Sequence, residues 1–183
     1  MEKVKGTDVP TDWMDLLNQR YKGQLLIADP KSTDASLDIW ALLLDKYGEA
    51  FYTRLRAQEP RSYVAVIPAL QGLAAGEGSV GIPSGRAAIE ELKARGAPIA
   101  AVVPSVTTGL EAQIMLTARN KSKHPNAARL MAHYVMGRAG NQVLNDDPGS
   151  VGIYDASNLP AGYESPKAGV LARKEVIYKL LGF

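Results

Sequence analysis

Three times in the first half of the chain, a short apolar stretch gives way to a turn of small or capping residues. A helix-patterned segment then follows each time. Residues 24–28 form an apolar run suited to a buried strand, ended by Asp29-Pro30. The capping cluster Lys31-Ser32-Thr33-Asp34 opens a long helix over 35–58. Leu37, Trp40, Ala41, Leu44, Tyr47, Phe51 and Leu55 recur there at three- and four-residue spacing, a core-facing stripe. Gly48 is its weak point. A second strand over 63–67 leads into a helix with Pro68 in its first turn. A third over 79–82 leads through Pro83-Ser84-Gly85 to a helix over 87–94. This alternation predicts an α/β layer fold with a mixed sheet flanked by helices.

Further along the chain, strands are expected over 98–103 and 112–118. Helices are expected over 125–137, with Ala128, Leu130, Met131 and Val135 inward, and over 139–145. Residues 146–163, rich in Gly and Pro, read as loop, and 170–181 as a last amphipathic helix.

Composition removes several chemistries. Cysteine is absent, which excludes disulfides, thiol catalysis and Cys-zinc sites. The only histidines, His124 and His133, are not spaced as a helical ligand pair. With 21 basic and 19 acidic residues, scattered along the chain, there is no footprint for a nucleic acid. No apolar run approaches the ~18 residues of a membrane span. The first residues lack the apolar centre of a signal peptide.

Several segments carry a resemblance. Asp8 to Leu17 with Trp13 at its centre, Tyr21-Lys22-Gly23, and Asp29-Pro30 followed by Ser32 come in that order. Gly76-Glu77, the stretch His124 to Leu130, and Gly140-Asn141-Gln142 follow. Together these resemble the type II periplasmic binding proteins of ABC importers, in the branch related to ferric-iron, polyamine and phosphonate binders. The resemblance implies a three-layer α/β lobe of a two-lobed receptor, with the first lobe largely missing. Residues 6–110 would be the second-lobe core and 111–163 a return segment belonging to the first lobe. Residues 164–183 would carry a helix docking back on the second lobe. It further implies a periplasmic location, a membrane permease as partner, a small solute as ligand, and no cofactor. The strand at 112–118 would then lack its sheet. A second copy pairing through 111–163 would cover it, unless the segment folds back on its own lobe.

Candidate ligand-binding residues follow the strand-to-helix turns. Helix N-termini carry unpaired N–H groups and the positive end of the helix dipole. Ser32 and Thr33 add hydroxyl donors, which suits a carboxylate or phosphonate. Asp34 either meets a cation or caps the helix. Ser84, Gly85 and Arg86 stand where the ferric-binding relatives carry paired tyrosines, so tyrosinate ligation of iron is not expected there. An arginine at that turn can grip an anion in two places, or it is a solvated surface residue. Relatives place a hydroxyl at the third turn; here Val66 or Ile67 stands there, and Tyr63 is the substitute. The leading expectation is a non-enzymatic module that binds a small anionic solute. A regulator's effector-binding domain and a serine hydrolase are the alternatives, although no G-x-S-x-G elbow is present.

Overall fold

The computed structural model describes residues 8–32 and 35–183. The chain divides into two compact units, one of Met1–Leu110 with Pro160–Phe183 and one of Glu111–Leu159.

The first unit holds a three-stranded sheet in the order β2-β1-β3, made of β1 (Leu25–Ala28), β2 (Arg61–Tyr63) and β3 (Val80–Ile82). Both pairings are parallel, so the expected mixed sheet is, among the described strands, a parallel one. A strand that reverses direction needs a partner already in place. The two segments expected to supply further strands, 98–103 and 112–118, form none in the structure. Their apolar runs are correct for β structure, but pairing depends on a neighbour that local sequence does not encode. The strand expected over 63–67 lies earlier, because Val66 already starts the next helix.

Each strand leads into a helix: α1 (Ala35–Ala57), α2 (Val66–Ala74) and α3 (Arg86–Ala94). The long stripe of α1 shares one core with Leu25, Ile27 and Ile82 of the sheet, and α2 lies against all three strands. Leu37, Trp40, Leu43, Phe51, Tyr52 and Leu55 are all essentially inaccessible to solvent. Gly48 breaks the helix, with φ 68° and ψ −177°, a conformation open essentially to glycine alone. The break brings the aromatic cluster together: Phe51 meets Tyr52 edge-on at 5.7 Å, and Tyr52 donates its hydroxyl hydrogen bond to the Trp40 carbonyl. Trp13, in a 3-10 turn capped by Asp12, is buried as an anchor and donates its indole N–H to the Val106 carbonyl at 2.7 Å.

The C-terminal segment closes the same core. A 3-10 turn, Val170–Arg173, leads into α6 (Lys174–Leu181), whose Ile177 and Leu181 are buried. Asp45 on α1 ties this segment down, accepting from Lys167 at 3.0 Å and Arg173 at 2.8 Å.

The second unit contains α4 (Pro125–Met136) and α5 (Arg138–Leu144). Asn141 organises it, accepting the Ile153 N–H at 3.1 Å on its side-chain oxygen. The expectation that Leu130 and Met131 face inward is corrected here. They are 71% and 62% exposed, whereas Ala128 and Val135 are half-buried. The helix has two apolar sides, and its periodicity alone does not choose between them.

Two outcomes are expected. Leu43→Ala removes a wholly buried side chain and should cost about 2–5 kcal/mol in urea unfolding. Arg173 first, and Lys167 with it, hold the Asp45 carboxyl below its usual range. That stabilisation is complete above the unfolded carboxylate pKa of about 4 and is lost as pH falls through the lower folded value. Asp45→Asn should therefore destabilise the protein by about 1 kcal/mol or less at pH 7. The difference from the parent should shrink toward pH 3, and an equal difference at both pH values would contradict the linkage.

Candidate functional site

Parallel pairing fixes where the strand-to-helix turns lie. Ala28 pairs with Tyr63 and Ile27 with Ile82, so all three strands end at one level. Asp29 extends the ladder by donating its N–H to the Tyr63 carbonyl at 2.7 Å. The turns 29–32, 64–65 and 83–85, and the starts of α1, α2 and α3, therefore share one edge of the sheet. In the order β2-β1-β3 the winding reverses between β1 and β3. In open α/β sheets, ligands bind outside the strand carboxyl ends at such a reversal. The turns flanking it carry Ser32 on one side and Ser84, Gly85 and Arg86 on the other.

The turn after β1 is built on Asp29. Its side chain accepts from the Lys31 N–H at 2.8 Å, and its carbonyl accepts from the Ser32 hydroxyl at 2.7 Å and the Ser32 N–H at 3.1 Å. Ser32 is exposed, but its own polar groups are engaged within the turn. Ser36, one turn later, is buried. Thr33 and Asp34 lie outside the described residues.

The turn after β3 is more open. Gly85 is the N-cap of α3 and offers no side-chain cap, which leaves the first amides of a nine-residue helix uncapped. Ser84, Gly85 and Arg86 are all exposed. Arg86 makes no ion pair among the described residues. The Ile82–Pro83 peptide bond is cis.

Tyr63 is placed differently from the other two groups. Its hydroxyl donates to the Glu77 carboxylate, and its ring lies over α2 at Gly72. A Cβ at Gly72 would sit 2.6 Å from the Tyr63 hydroxyl oxygen, so any larger residue there would displace the Tyr63 ring. Gly72 lies near the C-terminal end of α2 and Glu77 in the turn after it, so the hydroxyl is turned away from the helix starts. At the strand ends β2 instead presents Val64, 78% exposed, with Ile67 also open to solvent. Val64 and Glu77 were not singled out by sequence reasoning. The Gly76-Glu77 turn was visible, but its carboxylate's partner lies fourteen residues away, and no local pattern names it.

A second recess lies between α1 and the C-terminal segment, lined by Asp38, Asp45, Thr108, Ser165, Lys167 and Arg173. The charges of Asp45, Lys167 and Arg173 are spent on one another. No group of three or more metal-ligating side chains occurs among the described residues.

Comparison with known proteins fits this geometry. The chain belongs to the bacterial extracellular solute-binding proteins, whose family pattern matches residues 4–147. Members of that family bind solutes rather than transform them. A Haemophilus influenzae protein described as uncharacterized is 29% identical over 150 residues, an alignment that covers 78% of this chain and 42% of that protein. The structure of the periplasmic binding protein P5PA superposes with a TM-score of 0.61 at 22% identity, covering 97% of this chain and 61% of that one. The fold is thus that of a periplasmic binding protein, and the chain spans less than two thirds of both relatives, 42% of one and 61% of the other. No helix among the described residues is long and apolar enough to cross a membrane.

The Tyr63–Glu77 bond makes a spectroscopic prediction. The hydrogen bond to Glu77 raises the phenol pKa above its ordinary value, because losing the proton would set two anions together. Burial raises Tyr52, Tyr21 and Tyr47 as well, so alkaline absorbance titration should show a group of late-ionising tyrosines that loses one member in Tyr63→Phe and has one shifted back in Glu77→Gln. The stabilisation from this bond is present below the unfolded tyrosine pKa and is lost as pH rises through the folded one.

Proposed function

We propose that the Met1–Leu110 and Pro160–Phe183 unit is one lobe of a solute receptor serving a bacterial ABC importer. In this reading it works in the periplasm with a membrane permease. The Glu111–Leu159 unit belongs to the opposing lobe, and the solute is a small anion held at the strand-end edge. The observation that carries the reading is the uncapped start of α3, where the exposed Arg86 follows Gly85 at the winding reversal. A helix start favours negative charge, and an arginine beside it can grip a carboxylate or phosphate in two places. Ser84 adds a hydroxyl from the same turn; on the other side of the winding reversal the turn after β1 carries Ser32, with Thr33 and Asp34 next in the chain. Gly85 suits close approach of a ligand, since a Cβ there would meet nothing within 4 Å and its removal leaves the amide open. Tyr63 acts in this reading through its bond to Glu77, by holding α2 in place beside the edge.

A thermal-shift screen of carboxylates, phosphonates, sugar phosphates and polyamines, followed by calorimetry, tests the proposal. An anionic compound should stabilise the protein, and Arg86→Ala should weaken its binding about tenfold or more, the worth of a charge-assisted hydrogen bond. Ser84→Ala should weaken it less. Selective binding of polyamines, or anion binding indifferent to Arg86→Ala, would overturn the assignment.

A further inference from the structure

The turn after β1 is anchored unevenly. Pro30 is wholly buried, whereas Lys31 and Ser32 are exposed. The side chains of Asp29 and Ser32 bond within the turn, across two or three residues. Hydrogen bonds this local, open to solvent, break at little cost. One polar side chain of the turn reaches beyond it. The Lys31 ammonium lies over the Tyr178 ring, 5.4 Å from its centroid. No carboxylate among the described residues pairs with it.

Tyr178 is a firm support. It packs against the core from α6, whose Ile177 and Leu181 are buried, and α6 lies against α1. Arg173, the residue before α6, is held by Asp45 of α1. Lys31, Tyr178 and Asp45 all belong to the unit of Met1–Leu110 with Pro160–Phe183, so the contact needs nothing from the Glu111–Leu159 unit. An ammonium over an aromatic face is attracted by the ring's quadrupole, and the lysine stem covers apolar surface on its way there. A helix from the returning passage of the chain is thereby tied to the turn that precedes α1.

We infer that Tyr178 is a positioning residue for the strand-end edge: its ring holds Lys31 and so fixes the turn that carries Ser32. The inference deepens the solute-binding reading and rests on it for its purpose, but its test needs no solute. Amide hydrogen exchange followed by NMR reads the turn directly, through the Lys31 N–H, bonded to the Asp29 side chain, and the Ser32 N–H, bonded to the Asp29 carbonyl. Tyr178→Leu should speed both about two- to fivefold, the worth of an exposed cation–π contact. Tyr178→Phe keeps a ring and should restore the parent rates. Lys31→Met, at an exposed position, should speed the Ser32 amide by the same factor, and Tyr178→Leu should add nothing in that background. The Lys31 ε-methylene protons should move downfield in Tyr178→Leu, having lost the shielding of the ring face. Amides of β1 report that each variant is folded and should not change. Equal turn exchange in the parent and in Tyr178→Leu would overturn the inference. So would loss of protection in Tyr178→Phe as well, or a Tyr178→Leu effect that persists with Lys31→Met, which would make the tyrosine a packing residue only. A failure of anions to bind would count against the solute reading and leave these exchange results unaffected.

Discussion

Strand β1 carries the rest of the structure. All four of its residues are buried, at no more than 1% exposure, and its backbone pairs on both sides. Burying a Leu or Ile side chain is worth about 1.5–3 kcal/mol. Three such residues in one short strand therefore rival the net stability of a small domain. The register that this strand imposes on β2 and β3 brings three turns and three helix starts to one edge. Moving either neighbour by one residue would turn its side chains to the opposite face, so packing and the placement of the edge are fixed together.

Much of this was legible in the sequence, because it rests on local signals. The stripe from Leu37 to Leu55 reads directly as a helix face, and Gly48 is the one position in it that allows φ 68°. Gly85 before Arg86 marks the start of α3, and Pro68 sits within the first turn of α2. What was not legible depends on partners distant in the chain. Residues 98–103 and 112–118 are apolar enough for strands, but nothing in either segment says whether a sheet edge awaits it. Tyr63 has the look of a ligand contact until Glu77 and Gly72 occupy its hydroxyl and ring. In α4 two apolar sides compete, Ala128 with Val135 against Leu130 with Met131. Gly140 of α5 is pressed against the Tyr134 carbonyl, an approach that only a residue without a side chain allows.

The family match and the edge geometry are separate lines of support. The match covers residues 4–147 and so includes all three strand-to-helix turns. The superposition on the periplasmic binding protein P5PA, at 22% identity, speaks for the fold alone. The edge itself carries one exposed arginine, an uncapped helix start and an apolar rim at Val64 and Ile67. In the proposed reading such a combination would suit an anion with an apolar body better than a strongly hydrated cation, since an open hydrophobic rim gives a hydrated ion nothing to exchange for its water.

Helix α1 links this edge to the chain crossings. Its first turn follows Ser32 at the strand ends, while Asp45, three turns along, grips Lys167 and Arg173. Its neighbour Lys46 pairs with Glu164 at 3.0 Å. The chain leaves the first unit after Leu110 and re-enters it at Pro160, and the two passages are bonded to each other inside that unit. Thr107 donates its N–H to the Gly162 carbonyl at 2.9 Å and accepts from the Glu164 N–H at 2.9 Å. A side chain at Gly162 would collide with the Ser105 carbonyl, so glycine is needed for this approach. Trp13 holds the outgoing passage through Val106, and α1 holds the returning one through two salt bridges. The crossings therefore enter the first unit as one clasped pair rather than as two independent tethers. The helix that sets the edge is also the helix that anchors the clasp.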